Sequence, residues 1–180
     1  MSMYQDVIMA GFGGQGVMLI GNLLAYAGMD AGLNVTFIPV YGPEMRGGTA
    51  NCTVVVSDEE IGSPIIQRPK SVIVLNEPSL IKFQPRVEDG GVAVINSSLI
   101  NMDLAEKTRI KTVGVACNEI AHNLGNLRMV NMVALGAYVK ATNVLPLDTV
   151  IAALHHVFPP RNAKLIPKNG EALRAGYDAV

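Results

Sequence analysis

The residues GFGGQG, at positions 11–16, have the types and spacing to bind an anion. Gly11, Gly13 and Gly16 form the G-x-G-x-x-G pattern between the apolar run QDVIMAG and a segment with helical periodicity. We expect Gly11 to permit a tight turn, Gly13 to let an anion or another backbone approach, and Gly16 to let the helix pack on the sheet. The free N–H groups and partial positive charge of a helix N-terminus favour a phosphate or a carboxylate.

A dinucleotide is one candidate for this anion, but the second signal of a dinucleotide-binding unit is missing. A carboxylate should follow at the end of the second strand and bind the ribose hydroxyls, whereas that strand here ends FIPVYGPE. Asp30 comes too early, and Glu44 comes too late, beyond a proline. Gly14 and Gln15 are also unusual residues within such a turn. The pattern therefore favours a subunit or phosphate contact, with a ligand-free turn or NAD or FAD binding as alternatives.

A second candidate loop, YGPEMRGG, begins at Tyr41 and follows the second predicted strand. Gly47 and Gly48 permit positive φ angles and the close approach of a partner. Arg46 carries five donors in a rigid fork that suits a carboxylate or a phosphate. Glu44 either pairs with Arg46 and aims it at such a group, or forms with it an internal salt bridge that only shapes the loop.

The remaining patterns predict the elements that hold these loops. Apolar and β-branched runs predict strands at 5–11, 34–40, 49–58, 71–76, 91–98 and 110–115. Helical periodicity predicts helices after residue 15, at 77–85, from 117, at 127–143, at 147–158 and at 161–180, the last broken by a proline. This alternation predicts one three-layer α/β/α domain over residues 1–180, with a mainly parallel, possibly mixed, sheet and a Rossmann-like start. Both candidate loops then lie side by side at the carboxyl ends of their strands, where ligands and partners usually bind.

The composition narrows the classes of partner. A net charge of −1, scattered Lys and Arg, and the absence of Trp predict no nucleic-acid partner. No apolar run approaches the roughly 20 residues that span a bilayer, and the N-terminal residues lack a basic region, so we expect a cytoplasmic protein without a membrane partner. Only 16% of the residues are charged, which fits either a large contact with other subunits or a parallel sheet covered on both faces.

The metal-binding residue types are too few for a cluster. Cys52 and Cys117 cannot complete a four-cysteine iron–sulfur site or a typical structural zinc site. Of the three histidines, we expect the adjacent His155 and His156 to point to different sides of a helix. We therefore predict that this chain binds no metal. Cys52 is expected in the core, and Cys117 at a helix start is a weak candidate for a reactive thiol.

Taken together, two motifs indicate a family. GFGGQGV and YGPEMRGGTANCTVVVSDEEIGSP resemble the gamma subunit of the 2-oxoacid:ferredoxin oxidoreductases, and the resemblance continues through SVIVLNEPSL and GVAVINSSLI. It covers at least residues 5–100, and the style is closer to the 2-oxoglutarate and branched-chain members than to the pyruvate members. Asn76 and Glu77, within the third of these stretches, either cap a helix or bind a ligand.

The resemblance implies a role within a larger enzyme. Such enzymes oxidatively decarboxylate a 2-oxoacid, transfer the acyl group to coenzyme A and pass electrons to ferredoxin. Thiamine diphosphate and magnesium are held by alpha and beta subunits, and [4Fe–4S] clusters by beta and a ferredoxin-like delta subunit. The gamma subunit packs against alpha, so we expect no catalytic residue in this chain. The expected partner or ligand contacts, including a possible coenzyme A contact, are Gly11, Gly13, Gly14, Gln15, Gly16, Tyr41, Gly42, Glu44, Arg46, Gly47 and Gly48.

Two alternatives stay open at this point. The first is a free-standing dinucleotide-dependent oxidoreductase that uses the turn at 11–16. The second is a subunit of an indolepyruvate-type oxidoreductase, which uses a similar domain and differs in its partner subunits.

Overall fold

A computed structural model describes residues 3–40 and 49–180. Tyr41, Gly42, Glu44, Arg46, Gly47 and Gly48, the predicted contacts of the second loop, lie outside the described residues. The strands of the described ranges are β1 (Tyr4–Phe12), β2 (Asn34–Val40), β3 (Thr49–Ser57), β4 (Ser71–Val74), β5 (Val92–Asn96) and β6 (Lys111–Val115). The α-helices are α1 (Val17–Asp30), α2 (Glu77–Phe83), α3 (Cys117–Asn123), α4 (Val130–Thr142), α5 (Leu147–Ala152), α6 (Leu154–Val157) and α7 (Ile166–Asp178).

The strands form one mixed sheet in the order β2-β3-β1-β4-β5-β6. β1 pairs in parallel with β4, β4 with β5, and β5 with β6. β3 lies antiparallel to both β1 and β2, so it alone runs against the common direction of the other strands in the described sheet. The predicted α/β fold with a mainly parallel, possibly mixed, sheet is therefore confirmed, whereas the extent of the domain over residues 1–180 stays a prediction.

Two apolar cores on opposite faces of the sheet give the molecule its three layers. Alternate side chains of β1 point to opposite faces, so Val7 and Met9 enter one core and Ile8 and Ala10 enter the other. The first core packs under α1 and the helices from α3 onwards, and the second packs under α2. All residues of β4 are buried because both of its faces are covered.

The helical layer is tightest where α4 crosses α7. A Cβ atom at Gly136 would lie 2.0 Å from the carbonyl oxygen of Leu173, and one at Gly176 would lie 1.9 Å from that of Val133. The two helix backbones thus touch directly at these positions. The close helix approach suggested by the small residues of α4 is therefore present at Gly136.

Three details differ from the sequence predictions. The expected helix at 147–158 is divided at Ala153, where ψ is −8°. Pro167 does not break the terminal helix but lies in the first turn of α7, where its missing N–H has no intrahelical partner to lose. The rings of His155 and His156 do not diverge, since their centroids are 3.9 Å apart at the end of the four-residue helix α6.

Candidate functional site

The first glycine motif forms the connection from β1 to α1 at the carboxyl edge of the sheet. Gly14 and Gly16 take left-handed conformations, with φ of 93° and 73°. Gly11 instead lies inside β1, where it pairs with Ala50, so the tight turn that the sequence assigned to Gly11 occurs at Gly14. Gly13 and Gly14 are exposed, which leaves the tip of this turn accessible.

Gln15 holds the turn to the sheet. Its Oε1 atom accepts a hydrogen bond from the backbone N–H of Phe12 at 2.6 Å. Its Nε2 atom donates to the carbonyl of Leu75 at 3.4 Å, and its Oε1 also accepts from Asn76 at 3.3 Å. A Cβ atom at Gly11 would lie 2.7 Å from this Oε1. Glycine is therefore required at position 11 because the Gln15 side chain folds over it.

Asn76 resolves one of the alternatives left by the sequence. Its Oδ1 atom accepts a hydrogen bond from the backbone N–H of Ser79 at 2.9 Å, so it caps the start of α2. Glu77 is the first residue of that helix, where a carboxylate complements the positive end of the helix dipole. Both residues thus have helix-terminal roles in the fold.

Asn131 joins the turn to the start of α4. Its Nδ2 atom donates to the carbonyl of Gly16 at 3.1 Å, and its Oδ1 atom accepts from the backbone N–H of Met132 at 2.9 Å. Asn131 is only 3% exposed. The N-termini of α1 and α4 therefore meet at this hydrogen bond, and their aligned peptide dipoles make the position favourable for negative charge. The sequence analysis missed Asn131.

A shallow pocket of about 250 Å³ lies between the turn and α4. Its lining residues are Gly14, Gln15, Asn118, Leu127, Arg128 and Val130. Leu127 is 56% exposed, and Phe12 at the end of β1 is 43% exposed. Within the part of the chain that the structure describes, the Arg128 guanidinium forms no salt bridge. The pocket thus combines apolar surface with a cation.

A polar network continues this edge from β5 to α3. Asn96 donates to the side chain of Asn118 at 2.9 Å, and the backbone N–H of Asn118 donates to Ser98 at 3.0 Å. The Ser98 hydroxyl donates in turn to Glu119, and this hydrogen bond lowers the pKa of the Glu119 carboxyl. The run INSS after a predicted buried strand was the sequence signal for this network.

The described ends of the second loop lie at the same edge as the first turn. Val40, the last residue of β2, pairs with Asn51, and Phe12 pairs with Thr49, the first residue of β3. The chain therefore leaves β2 and enters β3 next to the end of β1. The predicted proximity of the two loops is supported at these anchors, while the residues between them lie outside the described ranges.

The two cysteines have structural positions. Cys52 and Cys117 are both buried, and burial raises the pKa of each thiol to about 12. The thiolate is therefore a minor species near neutral pH, which argues against Cys117 as a nucleophile. In the described ranges 3–40 and 49–180, no group of three His, Cys, Asp or Glu side chains is arranged to hold a metal ion. The helices of these ranges include none with the length and apolar character needed to cross a membrane.

The mixed sheet and the glycine turn define a Rossmann-like α/β domain whose accessible site lies at the carboxyl edge. A comparison with protein families matches residues 6–179 to pyruvate ferredoxin/flavodoxin oxidoreductase. The chain belongs to this family, and the resemblance predicted from its two motifs is confirmed.

Individual relatives place the chain within the family. It is 37% identical over 174 residues to the ketoisovalerate oxidoreductase subunit VorA of Methanothermobacter marburgensis, with 96% of this chain and 36% of the relative covered. It is 30% identical over 184 residues to the 2-oxoglutarate synthase subunit KorC of the same organism, with 99% and 97% covered. The chain thus spans about a third of the first relative and nearly all of the second.

A solved structure supports the fold. The gamma subunit of a keto/oxoacid ferredoxin oxidoreductase from Geobacter sulfurreducens superposes with a TM-score of 0.80 at 24% identity, and 97% of each chain is covered. This similarity extends the fold agreement to the helical C-terminal half, where the sequence resemblance was loosest.

Proposed function

We propose that this chain is the gamma-type component of a thiamine-diphosphate-dependent 2-oxoacid:ferredoxin oxidoreductase of the cytoplasm. The complex oxidatively decarboxylates a 2-oxoacid, forms the acyl thioester of coenzyme A and reduces ferredoxin. The chain contributes no catalytic residue. Thiamine diphosphate, magnesium and [4Fe–4S] clusters belong to the alpha, beta and, where present, delta subunits. An indolepyruvate-type complex is the alternative within the same proposal, distinguished by its partner subunits.

The observation that carries this proposal is the family match over residues 6–179. One relative, KorC, has nearly the same length as this chain, whereas the other, VorA, is almost three times as long. The same domain therefore occurs both as a separate subunit and joined to further sequence. Such a distribution supports a component that works in contact with other domains of its enzyme.

The surface proposed for this contact is the docking rim, defined as Phe12, Gly14, Gln15, Leu127 and Arg128. Exposed apolar side chains stand beside an arginine there, and aromatic and Arg residues are enriched in protein interfaces. The hydrogen bonds of Gln15 hold the turn in place before any partner binds. A preorganised surface loses less conformational entropy on association.

A coenzyme A contact at the same rim is the second candidate. The meeting of two helix N-termini at Gly16 and Asn131 favours an anion. The neighbouring Arg128 and the pocket of about 250 Å³ offer a cation and space for a phosphate group. In the second loop, Arg46 is the corresponding candidate from the sequence.

The coenzyme A contact is tested on the assembled complex. Arg128→Ala and Arg46→Ala are compared in their KM for coenzyme A, with Arg174→Ala as a control that removes an exposed arginine paired with Asp148 on another part of the surface. We expect the first two to raise this KM by roughly tenfold, since charge-assisted hydrogen bonds contribute about 1.5–3 kcal/mol. An unchanged KM in both variants removes the coenzyme A contact from the proposal.

The component role is tested by omission. The complex is reconstituted with and without this chain, and ferredoxin reduction is followed with the 2-oxoacid and coenzyme A present. We expect turnover only when the chain is included. The loop variants Glu44→Ala and Arg46→Ala then report on the second loop, which is passive if both variants assemble and turn over like the wild type.

A further inference from the structure

Asn131 has an unusual position for a buried amide, because both of its polar ends are used at a boundary between helices. Its carbonyl oxygen accepts the first-turn N–H of Met132, and its amide nitrogen donates to Gly16, which lies 115 residues away in the chain. The acceptor at Gly16 is a backbone carbonyl, so the atom facing it must be the amide nitrogen. The orientation of the side chain is therefore fixed by its partners.

Gly16 is matched to this contact. Its φ of 73° is a left-handed conformation that other residues adopt at a cost, and a Cβ atom there would lie 2.3 Å from Nδ2 of Asn131. Any side chain at position 16 would therefore displace the amide. The pair works as a unit in which the glycine admits the asparagine and the asparagine holds the glycine.

We propose that Asn131 is a positioning residue that sets the spacing of the docking rim. Gln15 fixes one side of the turn to the sheet through Phe12 and Leu75. Asn131 fixes the other side to α4, directly after Leu127 and Arg128 in the chain. Without the bond from Asn131, the turn stays attached to the sheet but its distance from Leu127 and Arg128 is no longer set.

The fold itself has other sources of stability near α4. The helix is held against α7 by the direct backbone contact at Gly136, and it packs through Met132, Val133 and Leu135 into the first core. Loss of one side-chain hydrogen bond therefore changes the rim more than it changes the fold. This distinction separates a positioning residue from a merely structural one.

The inference rests on the proposed function, since the rim is the surface proposed to meet the partner subunits. The test compares Asn131→Asp with the matched control Asn169→Asp. Asn169 is 8% exposed, lies in the first turn of α7 and donates to the carbonyl of Leu165 at 2.8 Å. Both substitutions replace an amide donor by a carboxylate near a helix N-terminus, so their effects on the helix dipole are matched.

Two readouts are used. Hydrogen exchange of backbone amides 13–17 in the full chain reports the turn, and the dissociation constant for the alpha and beta subunits reports the rim. We expect Asn131→Asp to speed the exchange and weaken the association by roughly tenfold each, the size expected for one buried hydrogen bond. Asn169→Asp should change neither by more than about twofold, since its own bond lies within the start of α7.

Each outcome has a defined meaning. Unchanged exchange at 13–17 in Asn131→Asp overturns the positioning of the turn, whatever the partner does. Faster exchange with unchanged association, or equal losses in the Asn169→Asp control, overturns its role in docking. If wild-type chain fails to bind the alpha and beta subunits, the proposed function fails and the docking role fails with it, which the wild-type measurement alone reveals.

Discussion

Phe12, the last residue of β1, pairs with Thr49, the first residue of β3, so an antiparallel strand lies beside the glycine turn. In a dinucleotide-binding unit, the strand beside β1 would be the parallel second strand, which brings its terminal carboxylate to the ribose. Here β2 is separated from β1 by β3 along the whole length of β1. The place from which a ribose would be recognised is therefore taken by the start of β3.

This arrangement predicts that the chain binds no dinucleotide. Isothermal titration of the purified chain with NAD, NADP and FAD should show no heat of binding at millimolar concentrations. The physical reason is the missing carboxylate at the end of β2 together with the intervening strand β3. A saturable signal for any of the three would support the rival oxidoreductase instead.

The docking rim predicts a separation between association and stability at Leu127. Leu127→Asp should raise the dissociation constant for the partner subunits by at least about tenfold, since truncating a central interface residue costs more than about 1 kcal/mol. The melting temperature of the free chain should hardly change, because the residue is 56% exposed.

The control for this prediction is Ile65→Asp. Ile65 is 72% exposed and lies between the end of β3 and the start of β4, both at the opposite edge of the sheet. It should leave the association unchanged. If the two variants weaken assembly equally, the interface is not confined to the carboxyl edge.

The contact between α4 and α7 predicts a strong dependence of stability on Gly136. Gly136→Ala places a methyl group 2.0 Å from the Leu173 carbonyl oxygen, so the helices must move apart. We expect a loss of at least about 1–3 kcal/mol in the free energy of unfolding, measured by urea denaturation. Gly62→Ala is the control, since no atom lies within 4 Å of its added Cβ, and an equal loss there would contradict the account.

Asp6 predicts a pH dependence of stability. It is 4% exposed, accepts a hydrogen bond from the backbone N–H of Lys70 at 2.6 Å, and burial raises its pKa above 3.8. A raised folded-state pKa means that the fold binds the proton more tightly than the unfolded chain does. The stability of wild type relative to Asp6→Asn should therefore fall as pH rises from 3.8 through the folded-state pKa, and then level off. Parallel pH profiles in urea denaturation would contradict this.

The strands and the edge that carries the site were predictable from local sequence. Buried β-branched runs identified β1, β4 and β5, and glycines directly after β1 identified the connection to α1. The antiparallel entry of β3 was also foreshadowed, because the segment 41–48 is shorter than the dozen or more residues that a parallel crossover needs. The prediction of a possibly mixed sheet is explained by this short connection.

The details of the site depend on contacts that local patterns do not encode. Asn131 looks like any polar residue in an apolar helix, and only the tertiary fold brings it to Gly16. The turn conformation at Gly14, rather than at Gly11, follows from Gln15 folding back over the strand. These arrangements result from packing between elements that are distant in sequence.

The central claim is that this chain acts only as a docked component of a larger enzyme. Its most direct test is to purify the tagged chain from its own cells, identify the chains that remain bound and assay the material for 2-oxoacid-dependent reduction of ferredoxin. We predict a stoichiometric complex with a thiamine-diphosphate-binding alpha and beta pair, active as the assembly and inactive when this chain is separated from it. A chain that purifies alone and oxidises a 2-oxoacid unaided would contradict the account.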